Sequence, residues 1–429
     1  MTPKLATLHL IATRVKKDGW SSVARQGTGK VLTTVLDRLH LSEPELPLRP
    51  EDIVDPGTAA PSWQVPGTSG NLRIGWVCTP PAPGSGGHTT FFRMVQGLEA
   101  RGHQCTLFLH DRNDDDVTRH EATIRRHWPM IKASVRSATD GLEGVDAIVA
   151  SSWPTAHIVA ARSPRGVHPF YFIQDYEPYF YPRGAFYAMA EDSYRFGFTN
   201  VALGGMIAKV MQTELGLPPD AVVPFGCDTD VYRLLDTPPT VRRSGVVYYA
   251  KRKVDRRGYL LAKLALEEFH HLHPEQEIHI YGDIITGWNI PVTNHGNMTP
   301  AQLNTLYNQT IAGLAISFTN ISLVPGELLA AGNVPVLNNA PFASGLLDDP
   351  DAVWAPATPM GLATALAEVV SAPDVDERPS RIAGRPRLDW KVSQEVFADL
   401  LEATCALAAA ESPVIRSENR DHSKNRVRA

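Results

Sequence analysis

The feature that most constrains the fold is a regular alternation of short apolar segments with amphipathic ones. The apolar segment RIGWVC (residues 73–78) is followed by FFRMVQGLEARG, whose apolar positions recur at helical spacing, and then by apolar QCTLFLH. Apolar strands separated by amphipathic helices are typical of parallel sheets that are covered on both faces. The sequence therefore predicts an α/β protein built on parallel strands.

The alternation runs in two series, which predicts two doubly wound, Rossmann-like domains. The first series begins at Arg73 and the second at GVVYYA (residues 245–250). A chain of 429 residues is also too long for one ordinary core. The expected organisation is an N-terminal extension with helices and a Pro-rich linker (1–72), a first domain (73–235), a second domain (236–390), a C-terminal helix (391–411) and a disordered basic tail (412–429).

Charge and cysteine usage narrow the class of protein. A net charge of −5 gives no general attraction to nucleic acid. The four cysteines include no CxxC pair, which suits reduced thiols better than a disulfide framework or a zinc site. No stretch approaches the roughly 20 apolar residues of a membrane span. We therefore expect a cytoplasmic protein without a structural metal.

A glycine-rich loop, TPPAPGSGGHTTFF (residues 79–92), separates the first strand from its helix. Gly86 and Gly87 allow backbone to approach a ligand closely, and the free N–H groups of the following helix favour an anion. His88 is a candidate donor to a sugar or phosphate, or else only a residue of the helix start. Although Asp111 could serve as the acid of a dinucleotide site, the glycine spacing differs from GxGxxG, so NAD binding is the weaker alternative.

The segment FYFIQDYEPYFYP (residues 170–182) is rich in rings and acids and follows another apolar strand. Rings can cover the C–H faces of a sugar while polar side chains bond its hydroxyls, so Gln174 and Tyr176 are predicted to contact an acceptor. Asp175 and Glu177 are candidates for proton transfer, because carboxylates beside buried rings acquire shifted pKa values. The alternative is a loop whose rings fill the core and whose acids face water.

Two further patterns lie in the second series. YYAKRKVDRRG (residues 248–258) carries five cations and one anion directly after a strand, which favours a diphosphate clamp over a solvated basic loop. NISLVPGELLAAGNVPVLNN (residues 320–339) carries Glu327 in the first turn of an apolar helix, with no cation beside it in sequence. A carboxylate there is favoured by the helix dipole alone, by at most about 1 kcal/mol.

Several segments resemble one family in the same order along the chain. GSGGHTTFFRMVQGLEARGHQCTLFL resembles the first-domain signature of GT-B glycosyltransferases, and VPFGCDTDVYRL and GELLAAGNVPVLNN resemble the linker and donor-site segments of family 4 enzymes. FYFIQDYEPYFYP, VVYYAKRKVDRRGYLL and AISFTNISLVPGELLAAGNVPVL resemble bacterial rhamnosyltransferases that build S-layer glycans and rhamnose-containing surface polysaccharides. The resemblance covers about residues 46–405.

The resemblance implies a GT-B fold, with two Rossmann-like domains that face each other across a cleft; the N-terminal helical extension is predicted from the sequence itself. It implies a metal-independent glycosyltransferase without a cofactor, which moves L-rhamnose from dTDP-L-rhamnose to a growing lipid-linked glycan at the inner face of the membrane. The expected donor-binding residues are Lys251, Arg256, Arg257, Ser322, Leu323 and Glu327.

Within that scheme the carboxylate of Glu327 binds the ribose hydroxyls of the nucleotide, and Asp175 is the acid or base near the acceptor, with His88 and Glu177 as further candidates. The chain departs from family 4 at Thr319, where a second Glu is frequent, and from the rhamnosyltransferases at Lys251, where Arg is usual. A GT-B-shaped nucleotide-sugar epimerase and a non-enzymatic dinucleotide-binding module are the alternative functions.

Overall fold

The structure is a computed structural model that describes residues 46–59, 70–113, 116–236, 242–321, 323–340, 347 and 349–411. The chain divides into two compact units, Met1–Arg49 and Pro50–Ala429, and the second unit contains both sheets. The predicted helices of residues 1–45 and the predicted disordered tail lie outside the described residues. The unit from Pro50 begins with a 3₁₀ turn (Pro50–Asp52) and a short helix (Pro56–Ala59).

The first sheet has seven strands within the described ranges, and all of its neighbouring strands pair in parallel. The strands are β1 (Arg73–Cys78), β2 (Gln104–Leu109), β3 (Ser134–Ser137), β4 (Ala147–Ala150), β5 (His168–Ile173), β6 (Thr199–Leu203) and β7 (Ala221–Val223). They lie in the order β3-β2-β1-β4-β5-β6-β7, so the chain changes direction across the sheet between β1 and β4.

Helices cover this sheet on both sides. The helix Gly86–Ala100 starts where Ser85 Oγ accepts a hydrogen bond from the backbone N–H of His88, which satisfies one of its free donors. Its Phe91 ring lies 5.6 Å from the buried Trp76 ring of β1, measured between ring centroids. The other helices of this part of the chain are Thr118–His127, Trp153–Arg162, Ala185–Asp192 and Gly205–Val210, the last continued by a π-helical turn at Met211–Leu215.

The second sheet has six strands within the described ranges, again with parallel pairing throughout. The strands are β8 (Val246–Ala250), β9 (Ile278–Gly282), β10 (Thr293–Gly296), β11 (Ala312–Ala315), β12 (Val334–Asn338) and β13 (Val353–Ala355). They lie in the order β10-β9-β8-β11-β12-β13, so the reversal falls between β8 and β11. The accompanying helices are Tyr259–Leu272, Pro300–Gln309, Val324–Ala330, Pro359–Ser371 and Arg378–Ala383.

The C-terminal helix Trp390–Glu411 packs against the first sheet's side of the molecule although it follows the second sheet in sequence. Its Phe397 ring lies 5.6 Å from the Trp76 ring, and the Gln394 side chain donates to the Arg93 carbonyl at 2.7 Å. Just before this helix, Asp389 pairs with Cys227 in a parallel bridge. The two segments that connect the domains therefore lie side by side.

Candidate functional site

Both sheets reverse their strand order at the rim of one cavity of about 280 Å³, which we call the polar cavity. Ligands of open α/β sheets bind outside the carboxyl ends of the strands at such a reversal. The first domain contributes the loops after β1, β4 and β5, and the second contributes the loops after β8 and β11. The polar side chains of the lining are Thr79, Ser85, His88, Thr90, Ser151, Ser152, Gln174, Asp175, Glu177, Arg256, Arg257 and Asn320.

The loop after β5 is joined to the second domain by Asp175. One oxygen of this buried carboxylate accepts a hydrogen bond from Thr319 Oγ1 at 2.9 Å, and the other accepts one from the backbone N–H of Asn320 at 3.1 Å. The Tyr194 hydroxyl supports the loop from behind, accepting from the Glu177 N–H at 3.0 Å and donating to the Asp175 carbonyl at 3.3 Å. The predicted acid–base residue is therefore also a contact between the domains.

Asp175 and Glu177 are two buried carboxyls with different environments. Burial raises the pKa of Asp175, while the charges of Arg256 and Arg257 oppose that rise. Burial raises the pKa of Glu177 further, to about 8, against the hydrogen bond from the Trp153 N–H and with help from the charge of Asp175. At neutral pH Glu177 is therefore mainly protonated, whereas the surroundings of Asp175 supply two cations and two hydrogen-bond donors to its anion.

We expect Glu177→Gln to flatten the dependence of stability on pH. The folded protein holds the Glu177 proton more tightly than the unfolded chain does, so the stability from this group is complete at low pH and is lost as pH rises through about 8. Glutamine imitates the protonated form. Between about pH 5 and pH 9, the unfolding free energy of the variant should rise relative to that of the parent by an amount on the order of a few kcal/mol. The melting temperature of the variant, measured relative to that of the parent, should rise over the same range.

Glu395→Gln is the matched control for this titration, because Glu395 is exposed on the C-terminal helix. Its melting temperature relative to the parent should stay constant across the same pH range. A Glu177→Gln difference that is equally constant would show that Glu177 is ionised in the folded protein at neutral pH.

The cationic loop after β8 brings two of its members into the polar cavity. The Arg256 guanidinium lies 4.1 Å from the centroid of the first domain's Phe180 ring, and its buried Nη1 has no hydrogen-bond partner among the described residues. Arg257 Nη1 donates to Ser317 Oγ at 3.0 Å and to the Asn320 carbonyl at 3.2 Å. A buried donor without an acceptor is costly, so the Arg256 Nη1 points to a group that the cavity receives.

Local geometry explains which cations of the run reach the cavity. Residues Asp255–Arg257 form a 3₁₀ turn, and Gly258 ends it at φ +62°, where a Cβ would strike the Ile316 side chain. Lys251, the third predicted clamp residue, is absent from the lining of the polar cavity; its Nζ lies 5.4 Å above the Tyr249 ring. The clamp role of Lys251 stays a prediction that no contact in the described residues supports.

The glycine loop forms the opposite wall. A Cβ at Gly86 would meet open space, and one at Gly87 would come within 3.8 Å of the Gln174 side chain. The His88 ring is held from both sides: Nε2 lies 3.2 Å from the Thr79 carbonyl and Nδ1 lies 2.8 Å from Ser85 Oγ. Because a carbonyl only accepts, Nε2 carries the proton, and burial lowers the pKa of His88. His88 is thus a neutral, oriented ring.

The two predicted acceptor contacts lie in different places. Gln174 lines the polar cavity. Tyr176 is 2% exposed, its ring stacks on Tyr194 at 5.5 Å between centroids, and its hydroxyl donates to Glu191 at 3.3 Å. The side chain of Tyr176 therefore belongs to the core behind the polar cavity and is absent from its lining.

A second cavity of about 400 Å³ adjoins the first and shares Phe225, Asn320 and Leu323 with it. We call it the adjoining cavity. It lies between the loop after β6, the two connecting segments and the start of the helix Val324–Ala330, of which Pro325 and Gly326 line it. Leu323 therefore stands at the junction of the cavities, whereas Ser322 lies outside the described residues.

Glu327 follows Gly326 in the same helix, and its neighbours in space could not be predicted from the sequence. Burial raises the pKa of its carboxyl to about 7; the positive charge of Arg93 opposes the rise and the negative charge of Asp228 adds to it. Arg93, on the glycine-loop helix of the first domain, forms an ion pair with Asp228 at 3.2 Å. The acid without a cation beside it in sequence thus has a cation near it in space, supplied by the other domain.

The described residues contain no group of three or more His, Cys, Asp or Glu side chains placed to hold a metal ion. In the same part of the chain, no helix combines the length and the apolar character needed to cross a bilayer. Metal independence and the place of the protein in the cell stay predictions.

Comparison with solved structures defines the class of fold. The chain is similar to sucrose-phosphate synthase from Thermosynechococcus elongatus (TM-score 0.60, 13% identity, 79% of this chain and 100% of that one) and to Anabaena Alr3699/HepE in complex with UDP and glucose (0.61, 14%, 78% and 100%). It is also similar to WaaG, a glycosyltransferase involved in lipopolysaccharide biosynthesis (0.54, 13%, 76% and 99%). These likenesses and the two facing parallel sheets confirm the predicted GT-B fold.

The match to a protein of similar sequence covers a smaller part of the chain. No family model matches the chain. The O-antigen biosynthesis protein RfbC of Myxococcus xanthus is 29% identical over 241 residues, which are 54% of this chain and 18% of that protein. The chain thus matches less than a fifth of the length of this relative.

Proposed function

We propose that the protein is a glycosyltransferase that moves a sugar from a nucleoside-diphosphate donor onto a glycan hydroxyl. One observation carries the proposal: both sheet reversals open on a single cavity that has buried carboxyls on its first-domain wall and arginines on its second-domain wall. Carboxyls suit an acceptor hydroxyl that must lose a proton, and arginines suit a departing diphosphate. Each domain then provides one half of the reaction.

In the proposed reaction the acceptor oxygen bonds to the anomeric carbon while the bond from that carbon to the diphosphate oxygen breaks. Arg256 and Arg257 stabilise the charge that develops on the diphosphate, because preorganised cations interact strongly with developing charge. The hydroxyl proton passes to Asp175, whose anion the same arginines favour. Glu177, which is mainly protonated at neutral pH, is in position to donate a hydrogen bond to a sugar hydroxyl. The neutral His88 ring already donates its one N–H to the Thr79 carbonyl, so His88 shapes the wall of the cavity.

The donor and acceptor are proposed more narrowly on the sequence motifs. The rhamnosyltransferase-like segments favour dTDP-L-rhamnose as the donor, and a growing lipid-linked surface glycan at the inner face of the membrane as the acceptor. Similar proteins give general support: HepE has been solved with UDP-glucose, WaaG is involved in lipopolysaccharide biosynthesis, and RfbC is an O-antigen biosynthesis protein.

A donor screen tests the function directly. Purified protein is incubated with dTDP-L-rhamnose, UDP-glucose or GDP-mannose, with and without short rhamnose-bearing acceptors, and the products are identified by mass spectrometry. We expect an elongated glycan and free nucleoside diphosphate only when donor and acceptor are both present. A new nucleotide sugar formed without any acceptor would instead identify an epimerase.

We expect Glu327→Ala to weaken nucleoside-diphosphate binding by about 10- to 100-fold, the loss of charge-assisted hydrogen bonds to a sugar hydroxyl. The helix Val324–Ala330 borders the adjoining cavity, so a nucleotide that extends from the arginines into this cavity places its ribose near Glu327. Titration calorimetry with dTDP and UDP measures the change. Glu268→Ala, on the helix Tyr259–Leu272 of the same domain, is the control; equal affinities for both variants would remove Glu327 from the donor site.

A further inference from the structure

Asn320 occupies the junction of the two domains and of the two cavities. It is 5% exposed, and it lines both the polar and the adjoining cavity. No catalytic motif of the sequence singled it out. Its main chain and its side chain make four hydrogen bonds to three segments of the chain, which no other residue of the cavity lining does among those described.

The bonds of Asn320 run in two directions. Towards its own domain, its carbonyl accepts from Ser317 Oγ at 2.6 Å and from Arg257 Nη1 at 3.2 Å. Towards the other domain, its backbone N–H donates to the Asp175 carboxylate at 3.1 Å and its side-chain amide donates to the Gln174 carbonyl at 2.9 Å. One residue thus fixes a cation of one wall and a carboxylate of the opposite wall.

From this arrangement we infer that Asn320 is a positioning residue, which holds the cleft closed and sets the separation of Asp175 and Arg257. It acts through these two residues and through Gln174. The expected effect of Asn320 on turnover rests on the proposed function, whereas its expected effect on closure of the cleft does not. Three of its four bonds involve main-chain atoms of Asn320, which alanine or aspartate keeps; the bond from the side-chain amide to the first domain is the one that these substitutions remove.

The side-chain amide of Asn320 matters because it donates to the main-chain carbonyl of Gln174, which belongs to the first domain. An alanine leaves the Gln174 carbonyl without this donor at a buried contact. An aspartate of the same shape turns an oxygen towards that carbonyl and adds a negative charge beside Asp175. Both changes favour a more open cleft, and the aspartate should have the larger effect.

The test measures domain separation and turnover in the same proteins. All four native cysteines are buried, so dyes can be attached selectively at Arg126→Cys and Thr305→Cys, two exposed positions on helices of different domains. We expect lower energy transfer in Asn320→Ala and lower still in Asn320→Asp. The value of kcat should fall at least about 10-fold, as misplaced reacting groups require, while the affinity for dTDP changes by less than about 3-fold.

Asn338→Ala is the matched control. Asn338 is also a buried amide, and it makes two hydrogen bonds to Ser317 on the same loop, but both stay within the second domain. Asn338→Ala should lower the melting temperature without lowering energy transfer. Parental energy transfer and parental kcat in both Asn320 variants would overturn the inference. Reduced energy transfer in a protein that transfers no sugar from any donor would support it and overturn the proposed function.

Discussion

Asp175→Asn is expected to lower kcat by about 10²–10⁴-fold, the usual contribution of a positioned general base. Asparagine keeps the shape of the side chain: its Oδ1 can accept from the Asn320 N–H and its amide can donate to Thr319 Oγ1, but it cannot take the acceptor proton. The affinity for dTDP should stay within about 3-fold of the parent, because the proposed nucleotide contacts lie on the second domain. Steady-state kinetics with both substrates, together with calorimetry, separate the two effects.

The control for this variant is Asp146→Asn, the same change in the same domain. Asp146 immediately precedes β4 and pairs with Arg73 at the start of β1, so it lies at the amino end of the sheet, opposite the cavity. It should retain parental kcat. Full turnover by Asp175→Asn would leave Asp175 only its contact between the domains, and Glu177 would become the remaining buried carboxyl of the cavity.

Arg257→Ala is expected to lower kcat by about 10²–10³-fold, the effect of removing one preorganised donor to developing charge. It should also weaken dTDP binding, because Arg257 is one of the two arginines on the second-domain wall of the polar cavity. Burial and the neighbouring Arg256 charge lower the pKa of Arg257, so the unliganded protein bears an electrostatic cost that an anion relieves. Kinetics and calorimetry on the same preparation measure both effects.

Lys253→Ala removes one positive charge from the same loop at an exposed position and is the matched control. If the attraction between the loop and the nucleotide were only nonspecific and electrostatic, both variants would lose a similar amount of affinity for dTDP, and the loss would disappear at high salt. A deficit of Arg257→Ala that persists at high salt would assign a specific contact. Equal, salt-sensitive losses in the two variants would contradict the clamp.

The fold could be predicted because buried parallel strands have nearly continuous apolar sequences. RIGWVC became β1, and the loops TPPAPGSGG and KRKVDRRG were placed at the carboxyl edges of their sheets by strand direction alone. The loops at the two reversals of strand order then line one cavity. The predicted GT-B class follows from these elements together with the motifs that resemble the family.

The details of the site depend on contacts that no local pattern encodes. Asp175 and Asn320 are 145 residues apart, and Arg93 and Asp228 are 135 residues apart. Which cation of a run enters the cavity depends on the 3₁₀ turn at Asp255–Arg257, so Lys251 could not be distinguished from Arg256 by composition. The Asn320 amide carries no charge and lies in no charged run, so only its neighbours in space reveal its position.

We propose that the cleft binds a nucleoside diphosphate between the arginines of the second domain and the carboxyls of the first. Thermal unfolding of the full chain with dTDP, UDP, GDP or NAD tests it most directly, because a ligand that binds only the folded state raises the melting temperature. We expect at least one nucleoside diphosphate to raise the melting temperature of the parent, and to raise that of Arg257→Ala much less. Stabilisation by NAD with no effect of any nucleoside diphosphate would contradict it.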